Sequence, residues 1–173
     1  MNYCEIKTND IANGPGVRVS LFVSGCERHC KGCFRPETWD FNYGDSFTDR
    51  TIFSILNFLK REEIQGLTVL GGEPLHPKNI RMVDRLVWAV FWRFLKKDIW
   101  VYTGYTIEEL VERNDTDNIL NCVDVIVDGE FIEEKKNLLL DFRGSENQRL
   151  VDVKKTMKEG KVVLWENPQK GRV

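Results

Sequence analysis

Hydrophobic residues recur along this chain with two spacings, which together predict alternating strands and helices. Runs rich in β-branched and aromatic residues predict strands over 3–7, 17–24, 67–70, 99–103, 123–127 and 161–165. Apolar residues three and four apart predict helices over 49–62, with Thr48 as N-cap, and over 78–97. A capping box at Thr106–Glu109 predicts a further helix that ends near Arg113. This alternation predicts an α/β fold with a mainly parallel sheet.

The length and composition describe one soluble domain. The chain has 173 residues, 42% of them hydrophobic and 30% charged, and a net charge of −2. These values exclude a disordered chain and a general nucleic-acid binder. No apolar run approaches the ~20 residues of a membrane span, and the N-terminus does not resemble a signal peptide. With no internal repeat or linker, we expect residues 1–173 to form a single domain in the cytoplasm.

Three of the five cysteines form a tight group. Cys26, Cys30 and Cys33 have the spacing C-x3-C-x2-C directly after a predicted strand, so their thiolates can surround one metal centre. An odd number of cysteines without a signal peptide does not suit a disulfide framework. Cys4 and Cys122 lie in or beside predicted strands and are interpreted as small hydrophobic residues.

The cysteine spacing alone leaves two kinds of metal centre open. A structural zinc site needs four ligands, and only His29, His76, Cys4 and Cys122 are available to complete it. A [4Fe–4S] cluster held by three cysteines would leave one iron open to bind another molecule. A zinc knot, or cysteines with no shared role, is the alternative.

Other motifs follow predicted strands and are expected to meet the cysteine loop at one edge of the sheet. They are Gly71-Gly72-Glu73-Pro74, Thr103-Gly104-Tyr105 and Asp128-Gly129. Ligands of parallel α/β folds bind beyond the carboxyl ends of the strands. The glycines allow close approach of a small molecule, and Glu73 is a candidate acceptor for an amino group. The alternative is a tight turn with a solvated carboxylate.

Together these motifs resemble those of the radical S-adenosylmethionine (AdoMet, or SAM) enzymes, and more narrowly the glycyl-radical-enzyme activases. Residues 13–18 (NGPGVR) before the cysteines and 37–40 (ETWD) after them share this resemblance. The small size, the lack of a ferredoxin insert, and Arg143-Gly144-Ser145 with Asn147-Gln148-Arg149 resemble the branch that activates the anaerobic (class III) ribonucleoside-triphosphate reductase. Two residues depart from common patterns. Gly32 replaces an aromatic residue, and Arg35 stands where these activases usually have Asn, so Arg35 is not given the role of that Asn.

The resemblance implies a partial (β/α) barrel of the radical SAM type and a specific reaction. Cys26, Cys30 and Cys33 would hold a catalytic [4Fe–4S] cluster whose fourth iron binds AdoMet. Reductive cleavage would give a 5′-deoxyadenosyl radical that removes hydrogen from a glycine of the reductase large subunit. The implied electron donor is a reduced flavodoxin-type protein.

The resemblance also implies which residues form the AdoMet pocket. Gly71, Gly72 and Glu73 would bind the methionine amino group, and Phe34, Thr103 and Asp128 are further candidates. The segment 143–149 is either a contact for the partner or nucleoside, or a polar turn. Two alternatives remain: another radical AdoMet enzyme, such as a formate-lyase-type activase or a deazapurine synthase, and a zinc-binding, non-catalytic module.

Overall fold

Seven strands form one mixed sheet in a computed structural model that describes residues 1–167. Its order is β3-β1-β2-β4-β5-β6-β7. The strands are β1 (Asn2–Asp10), β2 (Val17–Val23), β3 (Asp45–Ser46), β4 (Ile64–Gly71), β5 (Asp98–Tyr102), β6 (Val125–Asp128) and β7 (Arg149–Asp152). The four central strands, β2, β4, β5 and β6, pair in parallel, whereas β1, β3 and β7 pair antiparallel at the edges. The α/β class and the parallel centre are confirmed; the antiparallel edges were not predicted.

Five helices accompany the sheet, and two of them begin where the sequence predicted. They are α1 (Asp49–Leu59), α2 (Ile80–Arg93), α3 (Ile107–Val111), α4 (Asp117–Cys122) and α5 (Val153–Glu159). Capping boxes at Thr48 and Thr106 begin α1 and α3, which confirms both predicted N-caps. The apolar stripe of α1 and α2 packs on the sheet, with side chains such as Ile55 and Val87 fully buried.

The C-terminal part of the fold differs from the sequence prediction. The predicted strand over 161–165 is wrong, since only an isolated bridge between Leu164 and Val151 occurs there. The last strand of the sheet is instead β7, with α5 directly after it, and neither these elements nor α4 was predicted. The described residues include no helix with the length and apolar character that a membrane span requires.

A buried arginine closes the amino ends of the central strands. Arg18 at the start of β2 is fully buried and forms an ion pair of 2.6 Å with Asp98 at the start of β5. Its guanidinium also donates to the Thr68 hydroxyl (2.7 Å) and to the Leu67 carbonyl (2.9 Å) of β4. Because burying a charge is costly unless it is paired and hydrogen-bonded, these contacts hold β2, β4 and β5 together at this end.

Candidate functional site

The carboxyl ends of the parallel strands surround one cleft of about 620 Å³. Of the nine residues expected to bind the cluster or AdoMet, all but Asp128 line this cleft: Cys26, Cys30, Cys33, Phe34, Gly71, Gly72, Glu73 and Thr103. The cysteine loop follows β2, the two glycines end β4, and Thr103 follows β5. Parallel strands bring these separate motifs together because their carboxyl ends lie at one edge of the sheet.

The three thiols of the cysteine loop all face the cleft, and two of them have raised pKa values. Burial raises the pKa of Cys26, and burial together with a hydrogen bond to Glu130 raises that of Cys30 to about 11. The Cys30 thiol lies 3.5 Å from the Glu130 carboxylate and donates to it. A metal centre bound here must displace these protons, since the thiolate is the form that ligates metals.

The other candidate ligands do not line the cleft, and three of them have contacts of their own. The His29 ring packs on Trp39 at 4.6 Å, and His76 Nε2 lies 3.2 Å from the Glu27 carboxylate. Cys122 is buried, as predicted, and Cys4 Sγ lies 3.7 Å from the Arg35 guanidinium. Residues 1–167 contain no group of three or more His, Cys, Asp or Glu side chains placed to hold a single metal ion.

The two glycines bring the main chain to the surface of the cleft. Gly71 has φ 111°, in the region that favours glycine. A Cβ atom at Gly72 would lie 2.7 Å from the Gly25 carbonyl oxygen, so a side chain there would push the cysteine loop away from β4. Gly72 N also donates to the Val23 carbonyl (2.8 Å). The close packing of the two loops therefore requires glycine at both positions.

Glu73 is placed differently from the sequence expectation. Its carboxylate is buried, and both oxygens already accept hydrogen bonds from the protein. Oε1 accepts from Leu75 N (3.0 Å) and the Thr103 hydroxyl (2.7 Å), and Oε2 accepts from Gly104 N (2.8 Å). Burial raises the pKa of Glu73. In this structure Glu73 joins the ends of β4 and β5 and also lines the cleft, and its contact with an amino group stays a prediction.

Arg28 is a cleft residue that sequence reasoning missed. Its guanidinium lies 4.4 Å from the centre of the Tyr105 ring, 3.5 Å from Glu73 Oε2 and 3.8 Å from Glu130 Oε2. Its buried Nε has no hydrogen-bond partner among the described residues. Arg28 belongs to the cysteine loop, and its contacts reach the ends of β4, β5 and β6. The spacing of the cysteines drew attention to the thiols and gave no signal for the residues between them.

The structure does not bring Asp128 into the cleft. Its fully buried carboxylate accepts from Ile107 N (2.9 Å) at the start of α3. It also pairs with the Arg149 guanidinium, at 3.0 Å between Oδ1 and Nε. Asp128 therefore attaches α3 and β7 to the end of β6. The adjacent Gly129 lines the cleft instead.

Comparison with known proteins identifies the family that shares this arrangement. Residues 12–151 match the family described as a 4Fe-4S single cluster domain. The chain is 44% identical to the anaerobic ribonucleoside-triphosphate reductase-activating protein of Enterobacteria phage T4, over 87% of this chain and 93% of that protein. Proteins of the same name from Vibrio cholerae and Escherichia coli K12 are 43% and 41% identical, each over 86% of this chain and 96% of the relative.

The chain belongs to the family of anaerobic ribonucleoside-triphosphate reductase-activating proteins. The family description as a 4Fe-4S domain favours an iron–sulfur centre over the zinc module. The donor set fits such a centre, since three thiols line one cleft and thiolates are the usual ligands of iron–sulfur clusters. A [4Fe–4S] cluster also holds its cysteine sulfurs farther apart than a single zinc ion does, because each zinc–sulfur bond is only about 2.3 Å long.

The motif of residues 143–149, which supported the resemblance to this family, forms part of the wall of the cleft. Arg143, Gly144 and Gln148 line it. Gln148 Oε1 accepts from Gly144 N (2.9 Å) and Ser145 N (3.2 Å), which fixes the turn. The segment is therefore a polar turn that lines the cleft, and its contact with a partner or nucleoside stays a prediction.

Arg35, which replaces the Asn usual in these activases, attaches the cysteine loop to the edge of the sheet. Its guanidinium forms an ion pair with Glu5 of β1 and lies 4.8 Å from the centre of the Phe22 ring. Phe34, the neighbouring candidate, is exposed at the cleft, and its ring packs against Phe131 at 5.1 Å. Phe131 was not predicted as a site residue because its partner lies far away in the sequence.

Proposed function

We propose that this chain is a radical AdoMet activase that generates the glycyl radical on the large subunit of anaerobic ribonucleoside-triphosphate reductase. Cys26, Cys30 and Cys33 would hold a [4Fe–4S] cluster with three protein ligands, and AdoMet would bind the fourth iron. When bound, the cluster supplies the electron that cleaves AdoMet to methionine and a 5′-deoxyadenosyl radical, which takes hydrogen from the target glycine.

One observation carries this proposal: three thiols line the same cleft as the exposed glycine main chain at the end of β4. Three ligands leave a coordination position for a substrate, whereas a structural site is closed by four. The names of the relatives support the choice of target, because each is an activating protein of the anaerobic reductase.

The residues of the cleft would bind and orient AdoMet. The main chain of Gly71 and Gly72 would contact the methionine portion, and Phe34 with Thr103 would line the remainder of the pocket. The internal hydrogen bonds of Glu73 support a positioning role, in which it fixes the rim that the amino group meets. Asp128 would act one layer further away, through α3 and Arg149.

The wider setting of the reaction follows from the same proposal. Residues 1–173 would form one radical SAM domain, a partial (β/α) barrel whose open side admits a polypeptide. Its open sheet, with β3 and β7 as different edge strands, is compatible with this arrangement. The electron would come from a reduced flavodoxin-type protein. We place the reaction in the cytoplasm, where thiols are kept reduced.

The test combines metal analysis with anaerobic electron paramagnetic resonance (EPR). The reconstituted protein is mixed with AdoMet, a reductant and the anaerobic reductase. We expect iron and sulfide in the protein, 5′-deoxyadenosine as product, and a glycyl-radical doublet on the reductase. Cys26→Ala, Cys30→Ala and Cys33→Ala should each abolish AdoMet cleavage, whereas Cys122→Ala, which changes a buried cysteine outside the cleft, should retain it. Full cleavage by any of the first three variants, or zinc without sulfide in the wild type, would refute the proposal.

A further inference from the structure

A long segment between β6 and β7 forms one side of the cleft. Residues 129–148 contain a short 3-10 turn at Glu133–Lys135 and an isolated bridge between Lys136 and Ser145, and are otherwise irregular. Gly129, Phe131, Leu138, Leu140 and Phe142 from this segment line the cleft. Long irregular segments are uncommon in compact domains, and those that occur are often binding loops.

The base of this segment is fixed to the cysteine loop. The Lys31 ammonium lies 3.1 Å from the Glu133 carboxylate and 3.4 Å from that of Glu134. The Phe34–Phe131 ring contact adds an apolar connection between the same two loops. The segment therefore has a defined position beside the three thiols.

The tip of the segment presents two leucines to solvent. Leu138 and Leu139 are 77% and 92% exposed. The turn that holds them is built by Asn137: its side-chain oxygen accepts from Leu139 N (3.0 Å), and its main-chain N donates to the Gly144 carbonyl (3.1 Å). Burial of a leucine side chain is favourable, and this turn leaves both leucines exposed in the isolated chain.

The position of these leucines distinguishes them from the exposed apolar side chains in α2 and just after it. Leu138 and Leu140 line the cleft, and Leu139 lies between them in the chain. Trp88, Trp92 and Leu95 are also exposed, but they lie in α2 or just after it, where the chain returns to the amino end of β5. Leu138, with Leu139 beside it, is therefore placed to meet a molecule that enters the cleft, as is the exposed Phe34 ring.

We propose that Leu138 and Leu139 form a docking surface for an apolar side chain of the reductase, close to the glycine that enters the cleft. This inference rests on the proposed function, in which a polypeptide must reach the AdoMet pocket through the opening of this cleft. The relatives are named for activating another protein, which supports a macromolecular occupant. Exposed apolar surface beside a binding cleft is a common feature of protein contact sites.

The experiment compares Leu139→Asp with Leu95→Asp, since Leu95 is 87% exposed but lies at the opposite end of the strands. Affinity of the cluster-loaded full chain for the reductase is measured anaerobically by surface plasmon resonance. We expect Leu139→Asp to weaken it by about tenfold, and Leu95→Asp and the conservative Leu139→Met to leave it unchanged. The glycyl-radical yield at limiting activase should fall only for Leu139→Asp and recover when that variant is in excess.

Failure of this inference and failure of the proposed function give different results. Wild-type protein that binds the reductase but forms no 5′-deoxyadenosine would refute the proposed chemistry. Equal affinities for wild type and Leu139→Asp would overturn the docking surface even if the radical forms. Conversion of a dimer of this chain to monomers by Leu139→Asp, with unchanged affinity for the reductase, would also overturn it. Unchanged 5′-deoxyadenosine formation without reductase, together with an unchanged melting temperature, is the expected control.

Discussion

The two ends of the parallel sheet treat their polar groups in opposite ways. At the amino end, the buried Arg18 donates to Thr68 and Leu67 and pairs with Asp98. At the carboxyl end, three thiols and the main chain of Gly71 and Gly72 line an open cleft. Satisfied polar groups contribute to stability, whereas polar groups left available can bind a ligand.

The carboxyl end is itself built on a layer of satisfied carboxylates. Glu73 accepts hydrogen bonds from the ends of β4 and β5, and Asp128 joins β6 to α3 and β7. Both residues resemble Arg18 more than they resemble the cysteines, since their polar atoms are used within the protein. The carboxyl end of the sheet therefore has residues that face the cleft and, beneath them, residues that hold the strand ends together.

The largest predicted effect is a loss of stability at the amino end of the sheet, where Arg18 is buried. Arg18→Leu should reduce the free energy of unfolding by about 3–5 kcal/mol, because it removes one partner of a buried ion pair and leaves Asp98 without its cation. Urea denaturation measures this loss. The matched control is Arg85→Leu, which removes an exposed pair with Asp49 and should cost at most about 1 kcal/mol. Equal losses of stability for the two variants would contradict a structural role for the buried Arg18.

The sequence predicted those parts of the fold whose signal lies within one element. The apolar run of β2, the helical spacing in α1 and the capping box at Thr106 were each sufficient locally. β7 and α4 escaped prediction because four and six residues are too few to show a period, and neither has the unbroken apolar run of β6 or the capping box of α3. The apolar residues of 161–165 resembled a strand, but they form only an isolated bridge at Leu164 and two main-chain hydrogen bonds, from Asp152 N to the Val163 carbonyl and from Trp165 N to the Leu150 carbonyl.

The sequence predicted that the motifs meet at one edge of the sheet, but it did not predict the contacts of their side chains within the protein. Topology alone places residues that follow parallel strands at one edge, which is why the cysteines and Gly71–Gly72 share a cleft. The sequence could not show that Thr103 would donate a hydrogen bond to Glu73, or that Arg149 would donate one to Asp128. Those contacts join residues far apart in the chain and depend on the packed structure.

A second prediction tests whether Glu73 supports the rim. Glu73→Gln replaces one acceptor oxygen by a donor that faces main-chain N–H groups or the Thr103 hydroxyl. The free energy of unfolding should fall by about 1–3 kcal/mol, the cost of leaving a buried polar group unsatisfied. Glu134→Gln, at an exposed carboxylate near the same cleft, should show no measurable change by urea denaturation. An unchanged stability for Glu73→Gln would mean that its carboxylate is free for a ligand.

A third prediction separates Asp128 from the residues that face the cleft. Asp128→Asn weakens the charged contact with Arg149 while it retains an acceptor for Ile107 N. We expect a loss of about 1.5 kcal/mol in unfolding free energy, typical of a hydrogen bond to a charged group, with AdoMet affinity within about twofold of wild type. Equilibrium dialysis measures the affinity. A large loss of AdoMet binding without a loss of stability would instead place Asp128 in the pocket.

The smallest predicted effect is a pH dependence of stability at the amino end of the sheet. Burial opposes ionisation of Asp10, but hydrogen bonds from Asn13 (2.6 Å) and Ala12 N (3.1 Å) outweigh it and lower the pKa of this carboxyl. A pKa below the unfolded value of about 3.9 means that ionised Asp10 stabilises the fold above that pH, and that this contribution is lost as pH falls through the folded pKa. Asp10→Asn should therefore be less stable than wild type by about 1 kcal/mol at pH 7, and the difference should shrink at pH 3. Urea midpoints at both pH values, with the exposed Asp45→Asn as control, measure this convergence. If the stability difference between wild type and Asp10→Asn stays constant with pH, the turn around Asp10 depends on the shape of this side chain and not on its charge.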